Sequence, residues 1–279
     1  MASRSGARGR APRRVDPMTE QQGRTPSASG QGSEGAGRGR AARESVAEYD
    51  RALLRPARTP DHGHEAWRLA RIQGEFVNGV DLLGTLGPAV AVFGSARLGE
   101  GHPAYEPTRE VGRLLAESGF AVVTGGGPGL MEAANRGARE GDGVSVGLGI
   151  ALPFEKGFND YVEVSVPFHY FFARKVNFVR FTDGAVVCPG GLGTLDELFE
   201  ILTLLQTGKA EDYPVALLGT AFWEPLLAWL RSTLLTEGTI SPEDLDRALV
   251  TDDPREAVEH ATGAALAAAR AAVDAGVED

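Results

Sequence analysis

The sequence predicts an α/β fold, a single domain built on a doubly wound parallel sheet and preceded by a helical extension. Three observations carry this. Short apolar runs alternate with longer segments whose apolar residues recur at helical spacing, the pattern of a parallel sheet covered on both faces. Glycine-rich turns follow three of the runs, where a strand hands over to a helix. A chain of 279 residues with 42% apolar and 24% charged content can bury a full core.

Residues 1–45 stand apart. They hold nine Arg against four acidic residues, are rich in Gly, Ser and Pro, and lack aliphatic periodicity, so we expect a disordered basic tail. Met18 offers an alternative start. The tail is thus net +5 and the rest of the chain carries about −15 of the overall formal charge of −10, and an acidic body argues against nucleic acid as the main partner. No apolar run approaches the roughly 18 residues of a membrane span, and the tail lacks a signal-peptide core, so no membrane partner and a cytoplasmic location are expected. The single cysteine, Cys188, fits a reducing compartment and reads as a small core residue.

Residues 46–85 form the helical extension, with Trp67, Leu69, Ile72, Phe76, Val80 and Leu83 at helical spacing. That helix needs a partner surface, either this chain's core or a second subunit. The main domain, 86–279, follows. Its expected strands are Val90–Phe93, Ala121–Thr124, Val144–Ile150, Tyr161–Val164, Ala185–Cys188, Pro214–Leu218 and Ala248–Val250. The helices expected between and after them are Ala104–Ser118, Leu130–Glu140, Tyr170–Phe181, Leu195–Thr207, Trp223–Leu235 and Pro254–Val273.

In such a sheet the ligand lies beyond the carboxyl ends of the strands, where the strand order reverses. Three glycine turns fall at such ends: Gly94-Ser95-Ala96-Arg97, Gly125 to Gly129, and Pro189 to Thr194. The last leads into an amphipathic helix and has the form of an anion cradle, in which glycines admit a ligand to the backbone and a helix N-terminus presents about half a positive charge. Neither classical nucleotide fingerprint is present. Leu130 stands where a dinucleotide motif needs its third glycine, and no GxxxxGK[ST] occurs.

Glu197, one turn into that helix, has two readings: a carboxylate facing the cradle, or the far half of a Thr194-x-x-Glu197 capping box. Arg174 and Lys175 supply cations on the preceding helix, though adjacent helical residues diverge by about 100°, and a solvated face is the alternative. The five histidines (62, 64, 102, 169, 260) lack metal-ligand spacing, and His169 alone lies near Arg174 in sequence. Gly143-Val144-Ser145-Val146-Gly147 matches GxSxG, but a helix precedes it and a strand follows, the reverse of a nucleophile elbow.

The run Pro189-Gly190-Gly191-Leu192-Gly193-Thr194-Leu195-Asp196-Glu197 resembles the PGGxGTxxE signature of the Lonely Guy (LOG) family, and Arg174-Lys175 resembles its upstream RK pair. Agreement extends through Gly94 to Arg97, Gly125 to Asn135, Leu152 to Glu155, and Thr203, covering about residues 67 to 250. The resemblance implies a Rossmann-like sheet and a phosphoribohydrolase that needs neither metal nor organic cofactor. It would cleave AMP, or an N6-modified AMP such as a cytokinin riboside 5′-monophosphate, to free base and ribose 5-phosphate. It implies Arg174 and Glu197 as the catalytic pair. Gly190, Gly191, Leu192, Gly193 and Thr194 would hold the phosphate, aided by Gly126 and Gly127. Gly94, Ser95, Glu155, Lys175, Leu195, Asp196 and Thr203 complete the implied binding set. It further implies a homodimer or higher homo-oligomer, with the extension or the Tyr170 helix at the contact. Leu192, where many members carry an aromatic residue, and Phe171-Phe172-Ala173 before the RK pair are similar to the larger bacterial branch. Two other readings compete: a nucleotide-binding sensor without turnover, and a pyridoxal-phosphate-dependent lysine decarboxylase, for which Lys175 is the only lysine near the predicted site.

Overall fold

The structure, a computed structural model, describes residues 62–151 and 157–274. The expected tail (1–45), the start of the extension (46–61) and Glu155 lie outside the described residues. A long helix, α1 (His62–Leu83), comes first. It is followed by β1 (Ala89–Phe93), α2 (Tyr105–Glu117), β2 (Ala121–Thr124), α3 (Leu130–Glu140), β3 (Ser145–Ile150) and β4 (Val164–Phe168). The chain continues through α4 (Phe171–Arg180), β5 (Ala185–Val187), α5 (Leu192–Gln206), β6 (Val215–Leu218), α6 (Thr220–Trp229), α7 (Pro242–Leu245), β7 (Ala248–Thr251) and α8 (Pro254–Asp274).

All seven strands are parallel, in the order β4-β3-β2-β1-β5-β6-β7. The chain steps outward from β1 to β4, then returns to place β5 on the free side of β1. The strand order reverses there, and the crevice at the carboxyl ends of β1 and β5 is the place for a ligand.

Alternation along the strands divides the core into two layers. Ala89, Ala91 and Phe93 of β1 pack with Leu83, Phe178, Leu198, Ile201 and Trp223, from α1, α4, α5 and α6. Val90 and Val92 face the other way, onto Val111 and Leu115 of α2, Leu130 and Ala133 of α3, and Ala257 and Ala261 of α8. Each fully buried aliphatic side chain contributes roughly 1.5–3 kcal/mol.

Helix α1 packs on the first layer through Ile72, Phe76 and Leu83, so this chain's own core takes one face of the extension. Glu75, buried, fixes its register: its carboxylate accepts the backbone N–H of His169 at 2.9 Å and of Tyr170 at 3.3 Å. A carboxylate at the start of α4 also complements that helix's dipole. His169 Nδ1 lies 2.9 Å from the same carboxylate, so this histidine serves the α1 contact.

The fold departs from the sequence expectation in a few places. The fourth strand runs Val164–Phe168 and not Tyr161–Val164. It contains Pro167, which the edge position tolerates because one side of β4 has no ladder to donate to. Helix α5 starts at Leu192, three residues before the expected Leu195. Helix α6 ends in a π-helical turn, Leu230–Leu235, and the short helix α7 falls outside the expected elements.

Candidate active site

The three glycine turns meet at the β1/β5 edge. The Ser95 N–H donates to the Pro189 carbonyl at 3.1 Å, tying the first turn to the third, and the Leu130 N–H donates to the Ser95 carbonyl at 2.9 Å, tying in the second. Between them lies a cavity of about 570 Å³. Of the expected site residues, Gly94, Ser95, Gly127, Arg174, Gly191, Leu192, Gly193, Thr194 and Glu197 line it.

The third turn is shaped by close packing. A Cβ on Gly190 would lie 2.1 Å from Thr194 Oγ1 and 2.5 Å from Thr194 Cβ, so only glycine lets the turn fold down on the helix it precedes. Gly191 is the N-cap residue and contributes no side-chain cap. The first intrahelical bond runs from the Leu195 N–H to the Gly191 carbonyl at 3.0 Å. The N–H groups of Leu192, Gly193 and Thr194 have no acceptor among the described residues, and they open on the cavity. An uncapped helix start beside a cavity suits an anion.

This geometry excludes the capping box. Thr194 lies at the third helical position instead of the cap, and Glu197 turns into the cavity wall, 7% exposed. Burial pushes its carboxyl up to about 7, against the opposing pull of the Arg174 and Lys175 charges. A carboxyl that changes protonation near neutrality is suited to proton transfer.

Arg174 is held on several sides. Its Nε donates to the Leu148 carbonyl at 2.8 Å, its guanidinium lies over the Phe178 ring at 5.2 Å from the centroid, and a Cβ on Gly125 would stand 2.5 Å from its Nη2. Gly125 thus makes room for it. Lys175 diverges, as helix geometry requires. Its Nζ pairs with Asp196 at 2.8 Å and with Glu200 at 3.3 Å, away from the cavity lining. Burial works against its charge, but these carboxylates, with Glu197 nearby, leave its pKa raised.

The second turn is built differently. Asn135, fully buried, accepts from Thr124 Oγ1 at 2.6 Å and donates to Ser145 Oγ at 2.8 Å and the Val146 carbonyl at 3.2 Å. Asn159 Nδ2 donates to Asn135 Oδ1 at 3.0 Å, to the Gly127 carbonyl at 2.9 Å and to the Gly126 carbonyl at 3.2 Å. Side-chain amides therefore anchor Gly126 and Gly127 from behind. Ser145, the serine of the GxSxG string, belongs to this network at the start of β3.

Several expected binding residues do not line the cavity. Gly190 and Gly126 sit one layer behind it, Gly126 against Phe158. Leu195 packs on the core, Asp196 pairs with Lys175, and Thr203, exposed further along α5, bonds back to the Phe199 carbonyl at 2.6 Å. Conversely, Arg97, Met131, Ile150 and Phe171 line the cavity although they stand outside the implied binding set. Arg97 and Met131 adjoin glycine turns and Phe171 precedes the Arg174-Lys175 pair, which are positional signals; Ile150 carries none. Cys188 is buried, and burial pushes its thiol up to about 12, as befits a core residue.

Pyridoxal phosphate does not fit this donor set. It needs a lysine amine in the cavity, and among the described residues no lysine lines it; Lys156 lies outside them. No group of three or more His, Cys, Asp or Glu suited to a metal occurs among the described residues, and no described helix is long and apolar enough to cross a membrane.

The sequence profile of a family described as "Possible lysine decarboxylase" matches residues 131–261. The cytokinin riboside 5′-monophosphate phosphoribohydrolase of Rhodococcoides fascians is 30% identical over 175 residues, which cover 61% of this chain and 87% of that one. The protein of the same name from Mycobacterium tuberculosis is 31% identical over 156 residues, covering 55% and 82%. The cytokinin riboside 5′-monophosphate phosphoribohydrolase LOG of Oryza sativa subsp. japonica is 33% identical over 146 residues, covering 51% of this chain and 59% of that one.

Proposed function

The chain belongs to the Lonely Guy (LOG) phosphoribohydrolase family, and on that premise we propose that it hydrolyses the N-glycosidic bond of nucleoside 5′-monophosphates, AMP or an N6-modified AMP such as a cytokinin riboside 5′-monophosphate. The products are free base and ribose 5-phosphate. The observation that carries this reading is Glu197, a buried carboxyl one turn inside an uncapped helix start and facing the same cavity.

The 5′-phosphate sits against the N–H groups of Leu192, Gly193 and Thr194, which fixes the ribose with C1′ toward Glu197. As the C1′–N bond breaks, positive charge builds on the ribose, and the Glu197 carboxylate stabilises it. The carboxylate also accepts a proton from the water whose oxygen bonds to C1′, the departing base takes up a proton from solvent, and Glu197 then returns its own proton to solvent. Arg174, held by Leu148 and Phe178, is the cation beside phosphate or leaving base.

A panel of purine and pyrimidine 5′-monophosphates and their nucleosides, assayed for free base, tests the reading with wild type and Glu197→Gln. Release from monophosphates only, reduced at least about 100-fold in a folded Gln variant, is expected. Nucleotide binding without any release by wild type would favour the sensor instead.

The partner we propose is a second copy of the chain. Phe171, Phe172, Val176 and Phe199 are exposed on α4 and α5, and Leu192 is 86% exposed. Phe171 and Leu192 also line the cavity, so a copy seated on this face buries the apolar patch and closes the mouth at once. Sedimentation at micromolar concentration should show a dimer or larger species, and a monomer would sink the proposal.

A further inference from the structure

The one cation set beside the phosphate so far, Arg174, is shared with the leaving base. Lys175 is committed to Asp196 and Glu200 outside the cavity, and Arg174 is anchored by the Leu148 carbonyl on the β3 side. Backbone N–H groups and this shared arginine would face a phosphate that carries up to two negative charges, inside a chain whose formal charge is −10. One arginine at the cavity has been given no role.

Arg97 lines the cavity, and its side chain has no hydrogen-bond or ion-pair partner among the described residues. The arginines of α2 and α3 contrast with it. Arg109 pairs with Glu140, Arg113 with Glu110, Arg136 with Glu100 and Arg139 with Glu163. In an acidic protein where nearby guanidiniums find carboxylates, an unpaired one at a cavity wall is left for an anion from outside.

Its placement fits that use. The Arg97 N–H donates to Ser95 Oγ at 3.1 Å, which sets the residue on a defined turn. The same Ser95 donates its own N–H to the Pro189 carbonyl at 3.1 Å, immediately before Gly190. The Arg97 turn is thus bonded directly to the turn that delivers the uncapped start of α5.

We propose that Arg97 is a phosphate-binding residue, whose guanidinium completes the cradle begun by the N–H groups of Leu192 to Thr194 and selects the 5′-monophosphate over the uncharged nucleoside. The proposal deepens the hydrolase reading and rests on it for the identity of the phosphorylated sugar. A planar donor fork grips phosphate oxygens in pairs, whereas Lys offers a point charge, so the arginine-to-lysine change should restore only part of the effect.

The experiment titrates ribose 5-phosphate and inorganic phosphate into full-length wild type, Arg97→Gln and Arg97→Lys by calorimetry, alongside steady-state kinetics on the best monophosphate. The side chain is exposed, so both variants should fold, and circular dichroism checks this. For Arg97→Gln, the ribose 5-phosphate Kd and the KM should each rise roughly 10- to 100-fold, with kcat within about threefold, the signature of lost uniform binding. Arg97→Lys should fall between. A Kd within twofold of wild type in the Gln variant overturns the proposal. If wild type binds ribose 5-phosphate yet releases no base from any nucleotide, hydrolysis fails as a reading, while the Kd comparison still judges Arg97. If wild type binds neither ribose 5-phosphate nor phosphate, both readings fall.

Discussion

Two glycine-rich turns on one sheet edge, the one after β2 and the one after β5, solve the same steric problem with opposite chemistry. In the first, the Gly126 and Gly127 carbonyls are held by Asn159, the Gly126 N–H is taken by Thr124 Oγ1 at 2.9 Å, and the first N–H of α3 by the Ser95 carbonyl. In the second, Thr194 packs against Gly190, and three helix N–H groups have no acceptor among the described residues, beside a buried carboxyl. A turn whose polar groups are satisfied within the protein serves as scaffold. One whose donors converge unsatisfied on a cavity is ready for a ligand. The difference separates support from site where the sequence shows only two glycine clusters.

A pair of substitutions, one in each turn, sharpens the contrast. Gly190→Ala places a methyl 2.1 Å from Thr194 Oγ1, and Thr194 must give way. Displacement of a phosphate cradle by even about 1 Å costs on the order of 100-fold in rate, so kcat/KM should fall by that much in protein that remains folded. Asn135→Ala should do the reverse. Its loss strands Thr124, Asn159 and Ser145 in the buried network and should lower the unfolding free energy by about 2–3 kcal/mol in a urea titration. Activity per folded molecule should stay within about tenfold. If Asn135→Ala proved as damaging to rate as Gly190→Ala, the division into scaffold and site would not hold.

The same contrast explains how much was legible beforehand. Strand-helix alternation announced the doubly wound sheet, because buried parallel strands write themselves as apolar runs. The Gly190 turn was equally plain, and Gly191 to Thr194, Arg174 and Glu197 do meet at one cavity. The orientation of Glu197 was not legible. Thr194-x-x-Glu197 satisfies the local rule for a helix cap, and only tertiary packing, which starts α5 at Leu192, turns the carboxyl inward. Lys175, a binding residue only by the resemblance, pairs with Asp196 and Glu200 off the cavity lining, as the divergence of adjacent helical residues leads one to expect. Asn159 and Asn135 carry no sequence signal as supports, since a network joining residues 24 apart leaves no periodic trace. Arg97 is visible in sequence, but its want of a partner is a property of the folded surface alone.

The smallest predicted effect concerns what the open turn costs the fold. Glu197 titrates ordinarily near 4.5, and burial holds it at about 7 in the folded chain. A raised acid pKa means that the folded protein retains a proton the unfolded chain would release. The stability linked to that proton is fully present below about pH 4.5 and is lost as pH rises through about 7. Gln carries no such proton. Wild type and Glu197→Gln should therefore have similar unfolding free energies below pH 4.5, diverge as pH rises, and differ by roughly 1–3 kcal/mol in favour of Gln by pH 8. Denaturant titrations at several pH values read this directly. A gap that stays constant across the range would mean that the carboxyl is not desolvated, and the distinction between the turns would rest on geometry alone. A gap that widens with pH would show the ligand-ready turn keeping a charge in place at the expense of stability, a cost that the turn after β2, with its polar groups paired, does not bear.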